Sequence, residues 1–377
     1  MKIYNAKVYS DKDRTFFDGA VSYDNGIITE ISTDNTGDID ACGAYLVPGF
    51  IDVHSHGRGG YDFMSADTLQ IEKCLDLYLS HGVTTVFPCV MTGEYDDIKK
   101  AIANIKAAKS DINIDGIHIE GPYVSPKRPG CHNVSQLRAL DCKEINELTG
   151  LIKPLKAHIT VAPELDNGDA FIKECIKDGA TVGIGHSDAK YAEAMHALDL
   201  GCVSFTHTYN AMRELKHREP GTVGAALSGR AYAEFICDLF HVCAPVLDIS
   251  YRAVGCEKFV IVSDSIAAAD MPDGTYYLSG MQVNVKDGKA VNNDGAIAGS
   301  TTNIFDELNN LYKTLKAPLE DLIMTATVNP AKQAGIFDRC GSIEPGKRAD
   351  MLLITDNGGE LKLKEVISKG KIILKND

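Results

Sequence analysis

The sequence has 377 residues, a length that favours one large domain with a smaller one beside it. Hydrophobic residues make up 44% and charged residues 24% of the chain, as in ordinary soluble enzymes, and the formal net charge of −14 argues against non-specific nucleic-acid binding, which needs a basic surface. The eleven cysteines form no C-x-x-C pair, so we expect reduced thiols in a cytoplasmic protein and no disulfide framework.

Short strands are predicted at both ends of the chain. Residues 1–48 contain the alternating runs IYNAKVYS and GAVSYDNGIITEI, with Asp24-Asn25-Gly26 as a hairpin signal. Residues 341–377 have the same character in GSIEPGKRADMLLIT and LKEVISKGKIIL. We therefore expect these two segments to form one small β-sandwich domain beside a central domain of residues 49–340. The N-terminus lacks the apolar region of a signal peptide, and no apolar run reaches the ~20 residues of a membrane span.

Apolar strands alternate with helical patterns through the central residues. Eight strands are predicted, at 50–57, 82–90, 114–122, 158–164, 181–187, 202–210, 233–242 and 258–265. Near-continuous apolar strands separated by helices indicate a parallel sheet covered by helices. Eight such units in roughly 250 residues indicate a closed (β/α)₈ barrel.

Side chains that can bind metal ions or transfer protons lie at the predicted ends of most of these strands. They are His54 and His56 on the first strand, Glu120 on the third, and His186, His207, His241 and Asp264 on the fifth to eighth. The active site of a (β/α)₈ barrel lies at the carboxyl ends of its strands. The placement therefore predicts one catalytic site assembled from these residues.

His54 and His56 lie two residues apart in a strand, so both imidazoles face the same side and can share a metal ion. The plainer interpretation is two polar residues at a strand end. Glu120 lies among apolar residues, where a carboxylate needs a metal or a cation such as arginine. His118, deeper on the same face, is predicted to be a packed structural histidine.

His186 and His207 are each, taken alone, more typical of hydrogen-bonded core histidines than of metal ligands. Together with Glu120 they make a His₂Glu set, which suits a catalytic zinc ion with one position left open for water. Asp264 is a candidate general base beside such a water. The alternatives for Asp264 are a helix N-cap and a further metal ligand.

Two segments interrupt the strand–helix alternation. Residues 211–224 are polar and basic and contain Pro220-Gly221, which predicts a functional loop. Residues 274–299 read as a β-hairpin with Asp287-Gly288 at its turn, inserted between the last barrel strand and the closing helices.

Several runs resemble one known enzyme family. PGFIDVHSHG, from Pro48 to Gly57, resembles the opening motif of the amidohydrolase superfamily. HIEGP, GHSDA, THTYNAM and HREPG, with the tripeptide 298–300, are similar to the N-acetylglucosamine-6-phosphate deacetylase family within it. Asn329-Pro330-Ala331 and GSIEPGKRAD resemble the superfamily's return into its small β domain. The resemblance extends from about residue 45 to residue 355.

The resemblance implies metal-dependent removal of the acetyl group from N-acetylglucosamine 6-phosphate. It assigns the metal to Glu120, His186 and His207, the catalytic carboxylate to Asp264, and polarisation of the acetyl carbonyl to His132. The substrate-binding groups that it implies are His132, Asn210, the main chain of Ala211, Arg218, His241, Ala298, Gly299 and Ser300. The planar guanidinium of Arg218 would suit the phosphate.

The resemblance also bears on cofactor and assembly. We expect a divalent metal, with zinc first and iron or another divalent ion as alternatives, because His/Glu sites accept several. Since some family members keep the H-x-H pair and hold a second metal, His54 and His56 predict a second ion with Glu120 as the bridge. The family resemblance further implies a homodimer.

Other functions remain open from the sequence. The nearest is deacetylation of N-acetylgalactosamine 6-phosphate, since loops rather than metal ligands read sugar stereochemistry. A cyclic-amide hydrolase or a nucleobase deaminase is a second alternative, although no strand-end lysine is available for a bridging carbamate. A barrel kept as a non-enzymatic scaffold is the third.

Overall fold

A computed structural model of the protein describes residues 1–375. The strands are β1 Lys2–Ser10, β2 Thr15–Asp24, β3 Ile27–Ser32, β4 Ile39–Asp40, β5 Tyr45–Pro48, β6 Phe50–Ser55, β7 Gly57–Arg58, β8 Tyr61–Asp62, β9 Val83–Met91, β10 Asn113–Ile114, β11 Gly116–Glu120, β12 Lys156–Val161, β13 Thr181–Ile184, β14 Ser204–Phe205, β15 Tyr232–Phe235, β16 Phe259–Ile261, β17 Gly274–Leu278, β18 Met281–Lys286, β19 Lys289–Asn292, β20 Met351–Asp356, β21 Leu361–Ser368 and β22 Lys371–Lys375. The α-helices are α1 Thr68–Ser80, α2 Tyr95–Ala107, α3 Cys142–Ile152, α4 Gly168–Lys177, α5 Tyr191–Leu200, α6 Gly221–Ala226, α7 Ala244–Val254, α8 Ile304–Leu315, α9 Leu319–Ala326 and α10 Val328–Gln333.

Eight parallel strands form the barrel that the sequence predicts. They follow one another in the order β6, β9, β11, β12, β13, β14, β15 and β16, and the short β10 pairs with β9. The ring is closed just beyond the last strand, where the amide of Asp264 donates to the carbonyl of His54 over 2.9 Å. The predicted (β/α)₈ architecture is confirmed.

Some predicted strands are longer than the observed ones. β14 contains two residues where nine were predicted, and β15 ends at Phe235, so His241 lies six residues beyond the strand that it was expected to end. The backbone enters the left-handed region at His207 (φ 32°) and Leu239 (φ 67°). That conformation cannot continue an extended strand, which explains why β14 stops before His207 and why no strand runs on to His241.

The two ends of the chain meet in one mixed sheet of eight strands. The order is β22-β21-β20-β5-β1-β2-β3, with β4 beside β1. The C-terminal strands join the N-terminal ones through the antiparallel pair β5–β20, in which Pro48 faces Met351. The predicted hairpin turn is present, with Asn25 (φ 49°) and Gly26 (φ 78°) between β2 and β3. The shared terminal sheet is confirmed, and the boundaries 48/49 and 340/341 stay predictions.

The excursion after the last barrel strand is a three-stranded antiparallel sheet, β17-β18-β19, rather than the single hairpin expected. Asp287-Gly288 forms the predicted turn between β18 and β19. A second turn at Ser279-Gly280, with φ values of 45° and 82°, adds the extra strand. Serine followed by glycine is a weaker turn signal than Asp-Gly, so the sequence did not reveal this turn.

All eleven cysteines have free thiols. Within residues 1–375, no helix is both long and apolar enough to cross a membrane. The largest buried cluster lies between the barrel and its helices, and a second core lies in the terminal sheet.

Candidate metal centre and active site

A cavity of about 330 Å³ opens at the carboxyl ends of the barrel strands. Its polar lining consists of His56, Glu120, His132, His186, His207, Asn210, His241 and Asp264, and its other lining residues are Met91, Gly130, Cys131, Ala211, Leu278, Ala296, Ile297 and Gly299. All the predicted strand-end side chains except His54 therefore line one space, and the excursion sheet supplies Leu278 as part of its wall.

Glu120 is the carboxylate around which the histidines gather. Its Oε1 lies 3.0 Å from Nε2 of His186 and 3.0 Å from Nε2 of His207, and those two nitrogens are 3.0 Å apart. Nitrogen and oxygen donors of a tetrahedral zinc site are separated by about 3.3 Å, given metal–ligand bonds of ~2.0–2.1 Å. The three side chains thus have donors of the right type at nearly the right spacing for one divalent ion.

A second group of donors lies on the other side of Glu120. Its members are His54, His56, Cys89 and Glu120, with ligand atoms within 4.8 Å of one another. Nε2 of His56 lies 3.2 Å and Nε2 of His54 lies 3.5 Å from Glu120 Oε2. His54 Nε2 is buried and has no hydrogen-bond partner in the described structure. An unsatisfied imidazole nitrogen aimed at a carboxylate is the arrangement expected where a cation binds.

The ring tautomers are set by contacts behind the metal-facing nitrogens. Nδ1 of His186 donates to the carbonyl of Arg128 over 3.1 Å, which leaves Nε2 as a lone-pair donor. Nδ1 of His54 faces Glu234 Oε2 at 3.5 Å, which favours the same tautomer. Such outer contacts typically orient histidine ligands and raise their basicity.

The protonation states follow from burial and neighbouring charge. Burial alone would raise the pKa of Glu120, but the neighbouring imidazoles of His54, His132, His186 and His207 hold it well below its usual range. Burial lowers the pKa of His186, assisted by His132, and burial lowers that of His207. An ionised carboxylate and neutral imidazoles are the forms that bind metal ions.

Asp264 faces this group from the end of the last strand. Its Oδ1 lies 3.0 Å from His56 Nε2 and 3.6 Å from His54 Nε2. Burial opposes its ionisation, but the two histidines lower the pKa of Asp264 below its usual range. The carboxylate is therefore available as a proton acceptor at neutral pH.

His132 reaches the cavity from the loop after β11. Its Nδ1 lies 2.7 Å from the hydroxyl of Thr92, and its Nε2 lies 3.3 Å from Nε2 of His186. If the Thr92 hydroxyl donates to Nδ1, Nε2 carries the proton and can donate to a substrate carbonyl. Thr92 was not identified from the sequence, since a threonine after a strand is not a distinctive signal.

Three site residues adopt left-handed backbone conformations. The φ angles are 45° at His186, 32° at His207 and 45° at Asp264. Such φ values are uncommon for residues other than glycine and cost of order 1–3 kcal/mol each, and they cluster at functional sites. Each of the three lies two or three residues beyond the end of its strand, these being β13, β14 and β16 respectively.

A buried polar network lies beneath the site. Glu234 on β15 faces His54 and also His158, whose Nε2 is 3.7 Å from Glu234 Oε1. Gln333 of α10 donates to the same Oε1. Burial would raise the pKa of Glu234, but the two neighbouring histidines lower it. His118 is packed as predicted, with its Nε2 2.8 Å from the hydroxyl of Thr160.

The predicted substrate-binding residues separate into two groups. Asn210, Ala211, His241 and Gly299 line the cavity, and His241 is oriented by Asp238 at 2.7 Å from its Nδ1. The other three, Arg218, Ala298 and Ser300, are not among the lining residues. Arg218 is exposed, Ala298 is buried in an apolar cluster, and the Ser300 hydroxyl donates to the carbonyl of Ser263. Ser300 supports the Asp264 strand end, since its amide also donates to the Asp264 carbonyl over 2.8 Å.

Residues 45–373 match the sequence profile of the Amidohydrolase family. The chain belongs to this family. The barrel, with its histidines and carboxylates at the strand ends, is therefore the scaffold of an amidohydrolase.

The individual proteins that are similar to this chain belong to a narrower group of enzymes than the family as a whole. An N-acetylglucosamine-6-phosphate deacetylase from Vibrio furnissii is 32% identical over 333 residues, covering 87% of this chain and 82% of the relative. The crystal structure of N-acetylglucosamine-6-phosphate deacetylase from Pasteurella multocida superposes with a TM-score of 0.90 at 28% identity, covering 100% of this chain and 99% of that one. An aspartate-to-alanine mutant of the Mycobacterium smegmatis deacetylase, in complex with N-acetyl-D-glucosamine-6-phosphate, matches with a TM-score of 0.90 at 27% identity, covering 100% and 99%.

Proposed function

We propose that this protein hydrolyses the acetamide of N-acetyl-D-glucosamine 6-phosphate to D-glucosamine 6-phosphate and acetate. The observation that carries the proposal is the convergence of Glu120, His186 and His207 on the cavity floor, with Asp264 facing the same space. The similarity to deacetylases over most of their length supports the substrate.

Glu120, His186 and His207 would hold the catalytic ion, and we propose zinc. Three protein ligands leave a position open, as in catalytic zinc sites. A divalent ion in this position supplies Lewis-acid activation of water and of the acetamide carbonyl. The second group, with His54 and His56, would hold a second ion, and Glu120 belongs to both groups.

Asp264 accepts the proton of the attacking water and returns it to the nitrogen as the carbon–nitrogen bond breaks. His132 donates from Nε2 to the acetyl oxygen, where negative charge develops during attack. Burial of both side chains excludes bulk water and strengthens these interactions.

The sugar phosphate would extend from the floor toward the loop of residues 211–224. Asn210, the main chain of Ala211 and His241 lie on the cavity wall in position to bind hydroxyl or phosphate oxygens. Arg218 belongs to the same loop but is exposed, so a role in phosphate binding requires this loop to close or to meet another chain. We propose a cytoplasmic homodimer, in line with the family resemblance.

The test is acetate release by metal-loaded protein from three substrates: N-acetylglucosamine 6-phosphate, N-acetylgalactosamine 6-phosphate and unphosphorylated N-acetylglucosamine. We expect strong preference for the first. Preference for N-acetylgalactosamine 6-phosphate would support the proposed amide hydrolysis but would change the assigned substrate. The absence of acetate from all three would overturn the proposed function.

A further inference from the structure

Cys89 lies on the barrel strand between the two strands that carry the other donors of the second group. β9 pairs with β6, which bears His54, and with β11, which bears Glu120. Side chains alternate along a strand, and here Val86 and Val90 pack toward the helices while Phe87 packs inside the lower barrel and Met91 lines the cavity. Cys89 therefore faces the barrel interior, between Phe87 below and Met91 above.

The thiol is placed at the level of the metal donors. Cys89 is fully buried, and its Sγ lies 3.8 Å from Oε2 of Glu120. With zinc–sulfur and zinc–nitrogen or –oxygen bonds of ~2.3 and ~2.0–2.1 Å, a sulfur and a nitrogen or oxygen donor of one tetrahedral ion are separated by about 3.6 Å. The observed separation is close to that value.

A second observation independently points to a bound cation at the same place. Nε2 of His54 is completely buried, is aimed toward Glu120 at 3.5 Å, and has no hydrogen-bond partner in the described structure. Cys89, His54, His56 and Glu120 together offer four protein donors. Four protein donors that include a thiolate are typical of closed structural zinc sites, whereas catalytic sites use three and keep one position for water.

We propose that Cys89 is a thiolate ligand of the second metal ion, which makes that ion a closed structural one and leaves catalysis to the ion at Glu120, His186 and His207. The inference rests on the proposed metal centre but not on the identity of the substrate. Binding of the ion releases the thiol proton to solvent. The soft sulfur donor selects zinc or another thiophilic ion over magnesium or manganese at this position.

The first experiment is a spectroscopic titration that does not use activity. Chelator-treated full-length protein is titrated with Co²⁺ alone, and the near-ultraviolet cobalt–thiolate charge-transfer band is followed. We expect two ions per chain, one of which produces the band. Two bound ions without a thiolate band, or a single bound ion, would overturn the proposal.

Two variants show which cysteine supplies the sulfur ligand. Cys89→Ser should abolish the band and weaken retention of the second ion by at least about tenfold, since a soft ligand is lost. Cys131→Ser is the matched control, because Cys131 lines the same cavity but lies outside the donor group. A band that survives in Cys89→Ser would assign the thiolate elsewhere and overturn the proposal.

A measurement on the unaltered protein covers the case in which Cys89→Ser does not fold. X-ray absorption of the protein loaded with two zinc ions should show one sulfur scatterer at ~2.3 Å per two ions. A coordination shell of nitrogen and oxygen alone would overturn the assignment. A sulfur scatterer in a protein that releases no acetate would instead reject the proposed function and keep the second site.

Discussion

At the scale of single residues, Asp264 has the most direct predicted role. Asp264→Asn keeps the shape of the side chain but cannot accept the proton of water, so kcat should fall by about 10²–10⁴-fold, the usual contribution of a general base. Metal content should remain that of the parent protein. Turnover would be measured beside metal analysis, and near-normal kcat would show that another group is the base.

We predict that Thr92 is a positioning residue that acts through His132. Thr92→Val removes the hydroxyl that lies 2.7 Å from Nδ1, so the tautomer with a proton on Nε2 is no longer favoured. We expect kcat to fall roughly tenfold, part of the 10²–10³ that an oxyanion donor contributes, with KM nearly unchanged. Thr92→Ser keeps the hydroxyl and is the control. A rise in KM at constant kcat would contradict this role.

Arg218 is predicted to bind the phosphate although it is exposed. Arg218→Ala should raise KM for the phosphorylated sugar by about tenfold or more, since a charged hydrogen bond contributes ~1.5–3 kcal/mol, and should leave the unphosphorylated sugar almost unaffected. Lys216→Ala, an exposed cation of the same loop, is the control. Equal losses on both sugars would remove Arg218 from the phosphate site.

The sequence predicted that Glu120, His186 and His207 would meet at the strand ends, because each combines a distinctive chemistry with such a position, and the structure brings the three together. The sequence did not identify Cys89, Thr92 or Glu234, because a cysteine, a threonine or a glutamate near a strand end is common. Only the pairing of β9 with β6 and β11 brings Cys89 to His54 and Glu120. Partners that lie far apart in the chain leave no local pattern.

At the scale of elements, the strand–helix alternation predicted all eight barrel strands but not where they end. Periodicity indicates which residues are buried, and burial continues past the ends of β14 and β15 into turns. The left-handed φ at His207 depends on tertiary contacts, such as the hydrogen bond from its amide to Glu234 over 3.3 Å. Single-residue propensity carries no signal for such a turn.

Helix α8 contains a buried acid with a consequence for pH stability. Burial and the nearby carboxylate of Asp238 raise the pKa of Glu307 well above its ordinary 4.5. The folded protein therefore holds this proton when the unfolded chain has lost it, and its contribution to stability declines as pH rises above 4.5 toward the raised pKa.

Glu307→Gln has no proton to lose, so it should gain stability relative to the parent as pH rises through that range, from 4.5 toward the raised pKa. The difference in unfolding free energy should grow by up to about 1.4 kcal/mol per pH unit. Denaturant unfolding at a series of pH values measures it, with Glu257→Gln at an exposed position as the control. Parallel pH profiles for Glu307→Gln and the parent would contradict the assignment.

At the scale of the whole molecule, the similar character of the two chain ends was enough to predict that they share a sheet. Edge strands need partners, and β5 provides one for β20. The sequence could not predict the order of the strands. Pro48 and Met351 pair although they are about 300 positions apart, and their meeting depends on where the barrel ends in space. Leu352, Ile354 and Val366 pack into the main core, so the terminal sheet and the barrel support each other.

The metal centre should in turn stabilise the whole fold. The donors come from five separated segments of the barrel, around β6, β9, β11 and the ends of β13 and β14, and bound ions would join them only in the folded state. Zinc at 1,000 times its Kd should add about 4.1 kcal/mol for each site, because an ion that binds only the folded chain stabilises it by mass action.

Calorimetry of chelator-treated protein, with and without added zinc, measures this gain as a rise in Tm. His186→Ala should keep part of the rise, since the group of His54, His56 and Cys89 is intact. Glu120→Gln should lose most of it, because Glu120 belongs to both groups. Equal Tm values for the parent with and without zinc would show that the donors do not hold an ion, whereas equal losses in the two variants would show that only one ion binds.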